Sequence, residues 1–272
     1  MMRRVIKKPS ALTEGTVVHD CLEIIYNGGA DQWALQRIDQ EEQMDPYVAA
    51  KVKAIVLGSS SYWPAFEKVH CLETKFSIPL MNPSGNPCHA VVTGKLDGIV
   101  THGGRDWVLE HKTTSSAIGP GELYWENLRA DSQASLYILG ARSLGYNPVG
   151  VLYNVMKKPT LRPLQPNSRR AQPESPFDYL ARVAASMTEK PESYFQRQEV
   201  VRTEFDLKEA DRDLYLWYKR LRAEKENPRN VGACFDWHRA CEYFDVCTGV
   251  GSIDDDTRYR TAGAKHEELV EG

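Results

Sequence analysis

Gly94-Lys95-Leu96-Asp97-Gly98, followed at a short distance by Val108-Leu109-Glu110-His111-Lys112, decides how this chain is read. The two segments lie in apolar runs, Val91 to Thr101 and Trp107 to Thr113, that read as strands joined across Thr101-His102-Gly103-Gly104-Arg105-Asp106. Alternation puts Glu110 and Lys112 on one face of their strand and His111 on the other. Gly103-Gly104 is the strongest turn signal available, and a hairpin turning there sets Asp97 opposite Glu110. Cβ atoms of such a pair lie about 5 Å apart. Two like charges at that distance, on strands built otherwise from valine, leucine and isoleucine, destabilise a sheet unless something compensates. Lys112 does part of this, and a divalent cation held between the carboxylates does it more completely. The alternatives are a surface hairpin whose charges sit in water, and a bulge that slips the register by one and separates the pair.

Outward from the hairpin, Leu72 to Leu80 alternates and reads as a preceding strand. Before it come a helix from Glu14 to Tyr26, stopped by Gly28-Gly29, and a second from Asp45-Pro46 to about Leu57. After it, one long helix is expected from Glu122 to Leu144, closed by Gly145, and then a buried strand from Val149 to Val155. A strand near Gln196 to Thr203 and a helix from Leu207 to Glu224 follow. This order implies an α/β fold with a mixed central β-sheet flanked by helices. Residues 1–156 are expected to form the core and 157–173 a Pro-rich basic loop. Residues 174–250 then make a helical and cysteine-containing part, and 251–272 an acidic flexible tail.

Of 272 residues, 42% are hydrophobic and 26% charged, which argues against a fibrous or disordered chain. The net charge of −3 gives no sign of a nucleic-acid partner, although a local basic strip can dominate binding. No apolar run approaches the roughly 20 residues of a membrane helix. The basic start has no apolar h-region after it, so no secretory signal and no membrane association are expected, and the location is read as cytoplasmic. Of six cysteines, Cys234, Cys241 and Cys247 crowd into the last fifth of the chain. Outside the secretory route, such clustering points to a metal or cluster, or to buried free thiols.

Asp97 followed by Glu110-x-Lys112 resembles the signature of the PD-(D/E)xK nuclease superfamily, which has a restriction-endonuclease-like core. Gln133-Ala-Ser-Leu-Tyr137 is similar to the Q-x-x-x-Y element of its RecB-like branch, and Gly15-Thr-Val-Val-His19 to that branch's G-x-x-x-H element. The resemblance covers residues 11 to 250 and is nearest to stand-alone phage and CRISPR-associated exonucleases. It implies Asp97 and Glu110 as the main ligands of Mg²⁺ or Mn²⁺, with His19 and the backbone carbonyl of His111 as further ligands. It implies that Lys112 acts on the attacking water and the scissile phosphate. Gln133 and Tyr137, on one helix face with Arg129 a turn earlier, would arrange the metal shell and substrate, and Arg129 would bind DNA through a phosphate. Glu73 sits where the family often has an acidic residue and is a further candidate. Gly15 either permits close backbone approach or is a poor helix former near an end.

Cys234-x6-Cys241-x5-Cys247 resembles the cysteine motif that holds a [4Fe–4S] cluster in this branch. It departs from the usual C-x-x-C-x5-C spacing, with His238 where a cysteine is expected and no cysteine before His19. Three readings stand: a cluster with Cys21, Cys71 or Cys88 as fourth ligand, a Zn²⁺ site completed by His238, or thiols that pack without metal. Lys157, Lys158, Arg162, Arg169 and Arg170 either line a DNA-backbone groove or sit on a solvated loop. Trp33, Trp63 and Trp125 either stack on unpaired bases or pack. The function these residues imply is a metal-dependent deoxyribonuclease, an exonuclease acting on ends or single strands in recombination, repair or phage DNA metabolism, where recombination or replication proteins would be partners. The alternatives are a nuclease-fold DNA-binding scaffold without hydrolysis and a structure-specific endonuclease.

Overall fold

The computed structural model describes residues 2–5, 10–166, 172–224, 229–238 and 240–262. In chain order it begins with a short strand β1 (Met2–Val5) and three helices, α1 (Ser10–Tyr26), α2 (Asp31–Asp39) and α3 (Pro46–Tyr62). Three strands follow, β2 (Lys68–Met81), β3 (Pro87–His102) and β4 (Arg105–Thr114). Helices α4 (Leu123–Ala130) and α5 (Ser132–Ser143) lead to β5 (Gly150–Lys157), α6 (Pro176–Glu189) and β6 (Phe195–Val201). Helix α7 (Glu204–Ala223), a 3₁₀ turn at Val231–His238, α8 (Phe244–Thr248) and β7 (Tyr259–Ala262) complete it.

Two compact units share these elements. The larger, Ser10–Arg212, is an α/β layer structure around a five-stranded sheet of order β2-β3-β4-β5-β6. Only β4 and β5 run parallel, so the sheet is mixed as the element order implied. Strand β5 shows why both faces are covered. Val151, Tyr153 and Val155 pack with α4 and α5, whereas Met156 packs with α1, α3 and α6. All are fully buried, the near-continuous apolar pattern of a strand sandwiched between helical layers. The smaller unit, Met1–Pro9 with Asp213–Gly272, contains the β1–β7 pair. Within it Tyr259 is buried, stacks on Tyr243 and donates its hydroxyl to the Glu242 carbonyl. Residues 259–262 are therefore a strand and not part of a solvated tail; 263–272 lie outside the described residues.

The β3–β4 hairpin turns at Gly103-Gly104, both with positive φ (58° and 69°), and pairs Gly98 with Leu109 in the register expected from the sequence. The single long helix expected over Glu122 to Leu144 is instead two. Asp131 is extended (φ −68°, ψ 123°) and its carboxylate accepts the Gln133 N–H at 2.8 Å, which starts α5 afresh. Arg202 donates to the carbonyls of Arg129 and Asp131 across the break. Helix α5 lies close on the sheet because Gly140 offers no side chain to Phe76. A Cβ there would meet the ring at 2.6 Å, and one on Gly94, across the ring, at 2.5 Å.

Phe76 is thus held from both sides and cannot retreat. Gly140→Ala is expected to lower stability by about 1–3 kcal/mol in urea unfolding. Combining it with Phe76→Leu should recover part of that loss, because the two sites share one contact. Strict additivity of the two changes would contradict the clamp.

Candidate active site

The functional side chains gather where the β3–β4 ladder ends. The last paired residues are Gly98 and Leu109, one step short of Asp97 and Glu110. Beyond that point the Asp97 carboxylate replaces the ladder, with Oδ2 accepting the His111 N–H at 2.7 Å. Its Oδ1 faces His19 Nδ1 of α1 at 3.2 Å. Leu96 and Ile99 pack in the same cluster although three residues apart, so alternation breaks between them, at Asp97-Gly98. Gly98 is needed there, because a Cβ would come within 3.0 Å of Leu72 and 3.2 Å of the Cys71 carbonyl.

Strand β2 contributes what the sequence left as a lesser candidate. Its register against β3 shifts between Val69 and Cys71, and Glu73 follows with φ 47°, the only non-glycine positive φ among the described residues. Such a conformation costs about 1–3 kcal/mol and persists only where the surroundings impose it. Here it accompanies a ligand-ready group: His19, Glu73 and Asp97 each offer an atom within 4.8 Å of the others.

Glu110 stands beside this trio. It is 3% exposed, and its Oε1 pairs with Lys112 Nζ at 2.7 Å. The same ammonium donates to Gln133 Oε1 at 2.7 Å, and Gln133 Nε2 donates to the Tyr137 hydroxyl at 2.9 Å. Glu110 and Lys112 thus face α5, while the His111 ring, on the other side of β4, stacks on Tyr26 (5.5 Å between centroids) and meets His19 edge-on.

Burial and charge decide the protonation states. Burial drags the His19 pKa down, but the Asp97 hydrogen bond and the charges of Asp97, Glu110 and Glu73 outweigh it and lift it to about 9. Burial pushes Asp97 up, yet the hydrogen bond and charge of His19, with the His111 N–H, hold it below the usual carboxylate range. Glu110 is pushed up by burial and then by the Asp97 charge, against the pull of Lys112. Burial lowers His111 to about 3, so it is neutral.

The donor set, a nitrogen and carboxylate oxygens, suits a divalent cation of Mg²⁺ or Mn²⁺ type. Glu110 Oε2 is buried without a hydrogen-bond partner. Two carboxylates plus that orphaned oxygen are what such a cation would satisfy. The PD-(D/E)XK nuclease superfamily model matches residues 2–248. The chain belongs to the PD-(D/E)XK nuclease superfamily. A comparison with curated proteins finds no match. Among solved structures, the crystal structure of SSO0001 is similar at 15% identity, covering 75% of this chain and 82% of its own, with a TM-score of 0.25.

Several expected contributors lie elsewhere in this nuclease-family chain. Arg129 is on α4, not on the face of Gln133 and Tyr137, because Asp131 breaks the helix; it is exposed and paired with Glu126. Lys158 is bonded to Glu14 at 3.0 Å. Lys157 is half-buried, Arg162 is exposed, and Arg169 and Arg170 lie outside the described residues. Trp125 is buried with its indole donating to the Ile118 carbonyl, and Trp63 packs on Phe195, which leaves Trp33 as the exposed one of the three. A Cβ on Gly15 would meet Thr113 only at ordinary contact distance, 3.7 Å, so no close approach requires that glycine.

Cys234, Cys241 and Cys247 are free thiols, and the latter two are exposed. Among the described residues they form no ligand-ready group with one another, and the His238 side chain lies outside those residues. Cys21 is a packing thiol. It is buried in the larger unit, donates to the Ala34 carbonyl at 3.2 Å, and burial pushes its pKa up to about 12. Cys71 and Cys88 are half-buried on β2 and β3.

In the cation-free protein the His19 imidazole should titrate near pH 9 by NMR, and Asp97→Asn should bring it down. A pKa raised from 6.5 on folding contributes stability that is fully present below pH 6.5 and lost as pH climbs through about 9. The stability difference between the parent and His19→Gln should shrink across that window in urea unfolding. A midpoint near 6.5 would contradict the pairing.

Proposed function

We propose that this chain is a metal-dependent deoxyribonuclease of the RecB-like branch, acting as an exonuclease on DNA ends or single strands. The observation that carries the reading is the placement of Lys112, bonded at 2.7 Å to both Glu110 and Gln133 beside the His19–Glu73–Asp97 trio. Gly15 to His19 on α1 and Gln133 to Tyr137 on α5 support the branch.

Asp97, His19 and Glu110 would hold Mg²⁺ or Mn²⁺, with Glu73 and the His111 carbonyl as further donors. Bound there, the cation supplies Lewis-acid stabilisation of phosphate charge and a more acidic water. The chain's own residues do the rest. Asp97 holds the Glu110–His111 peptide in place through the His111 N–H. Lys112 presents a fixed ammonium to the attacking water and to the negative charge that develops on the scissile phosphate. Gln133 holds that ammonium by its amide oxygen and Tyr137 by its amide nitrogen. Burial keeps Tyr137 a phenol, its pKa pushed far above the ordinary value, so it remains a hydrogen-bond donor. The cysteine segment has no part in this chemistry, because phosphodiester hydrolysis needs no electron transfer.

End-labelled linear and closed circular single-stranded DNA, compared with Mg²⁺, Mn²⁺ and EDTA, test the activity. Degradation of the linear form alone, abolished by EDTA, is expected. Cleavage of circles would make it an endonuclease, and no cleavage with either metal would favour a scaffold. Asp97→Ala and Glu110→Ala should each abolish cleavage while DNA binding survives. Lys112→Ala should lower the single-turnover rate by roughly 100-fold or more, and Lys112→Arg should not restore it, because a planar fork cannot replace a compact charge. An unchanged single-turnover rate in Lys112→Ala would remove the lysine from the mechanism.

A further inference from the structure

Each acid of the site has its own cationic partner, and one of these partners plays no part in the chemistry above. Asp97 faces His19, Glu110 pairs with Lys112, and Glu73 pairs with Lys95. Lys95 stands on β3 directly opposite Lys75 of β2, and two cations side by side on a sheet repel. Glu73 lies two residues from Lys75, and its left-handed backbone accompanies the contact with Lys95. The Lys95 side chain is 36% exposed, so it can leave Glu73 for solvent without opening the core.

We infer that Lys95 is a built-in counter-cation that occupies Glu73 in the metal-free enzyme and competes with the divalent cation for the site. This rests on the reading of His19, Glu73 and Asp97 as a cation site. Glu73 belongs to the only ligand-ready trio among the described residues, yet its carboxylate already carries an ammonium. A divalent ion entering beside Asp97 meets that positive charge at close range and must displace it to gain the third donor. The like-charge repulsion and the broken ion pair both weaken loading. The lysine therefore sets a threshold of free cation below which the nuclease stays unloaded.

The test is calorimetric titration of Mn²⁺ into the full chain without DNA, for the parent, Lys95→Gln, Lys95→Arg and Asp97→Ala. The parent should bind one Mn²⁺, and Asp97→Ala should lose it. Lys95→Gln should bind about tenfold more tightly, whereas Lys95→Arg, which keeps the charge, should stay near the parent. Damage to the fold would weaken binding, so a gain in affinity is not a folding artefact. Asp97-dependent binding that Lys95→Gln leaves unchanged or weakens would overturn the counter-cation alone. Absence of Asp97-dependent binding in the parent would overturn the cation site and this inference with it.

Discussion

The Asp97 carboxylate takes over a backbone donor where a β-ladder stops. Its Oδ2 accepts the His111 N–H and its Oδ1 faces His19, so one side chain joins β3, β4 and α1. A buried backbone N–H must find a partner, and here the partner is an anion. The strands no longer need to pair beyond Gly98 and Leu109, and the peptide at His111 is still held. The ladder's end, Glu110 and Lys112 facing α5, and His19 on α1 all meet around that carboxylate.

Concentrating acids this way is costly, and cations of the chain itself offset that cost. A buried carboxylate left unpaired loses its hydration with nothing in return, so each acquires a cation drawn from the chain. His19 is held protonated by its neighbours, Lys112 is shared between Glu110 and Gln133, and Lys95 sits on Glu73. The set is complete except at Glu110 Oε2, which is buried and unpartnered. On the proposed reading, a divalent ion would take the place of the His19 proton and of the Lys95 ammonium, which would tie loading of the site to their release.

The hairpin and its register were legible because period-two alternation and Gly103-Gly104 are local signals, and a mixed sheet followed from element order. The Glu110-x-Lys112 strand lies within that hairpin, whereas His19, on α1, was singled out by its resemblance to the family's G-x-x-x-H element. The division of the long helix was not legible, since Asp131 inside a helical pattern reads equally as a surface residue until its carboxylate is seen capping Gln133. Helix α6 carried a start signal in Ser175-Pro176, with the serine hydroxyl accepting from Asp178, but a proline-rich approach masked it. That Glu73 lies beside His19 and Asp97 was not legible, because its place depends on a register shift in β2 and a left-handed backbone, and neither has a signature in a non-glycine residue. The strand at Tyr259 depends on pairing with Met2–Val5 at the far end of the chain, a long-range contact that local pattern cannot encode.

The central claim is that His19, Asp97 and the neighbouring carboxylates of Glu73 and Glu110 together hold one divalent cation. Crystals of the full chain soaked in Mn²⁺ and measured for anomalous scattering test it most directly. The account predicts a single strong peak bonded to His19 and Asp97 and to at least one oxygen of Glu110 or Glu73, with Lys95 moved off Glu73. A peak elsewhere, or none at saturating Mn²⁺, would contradict it.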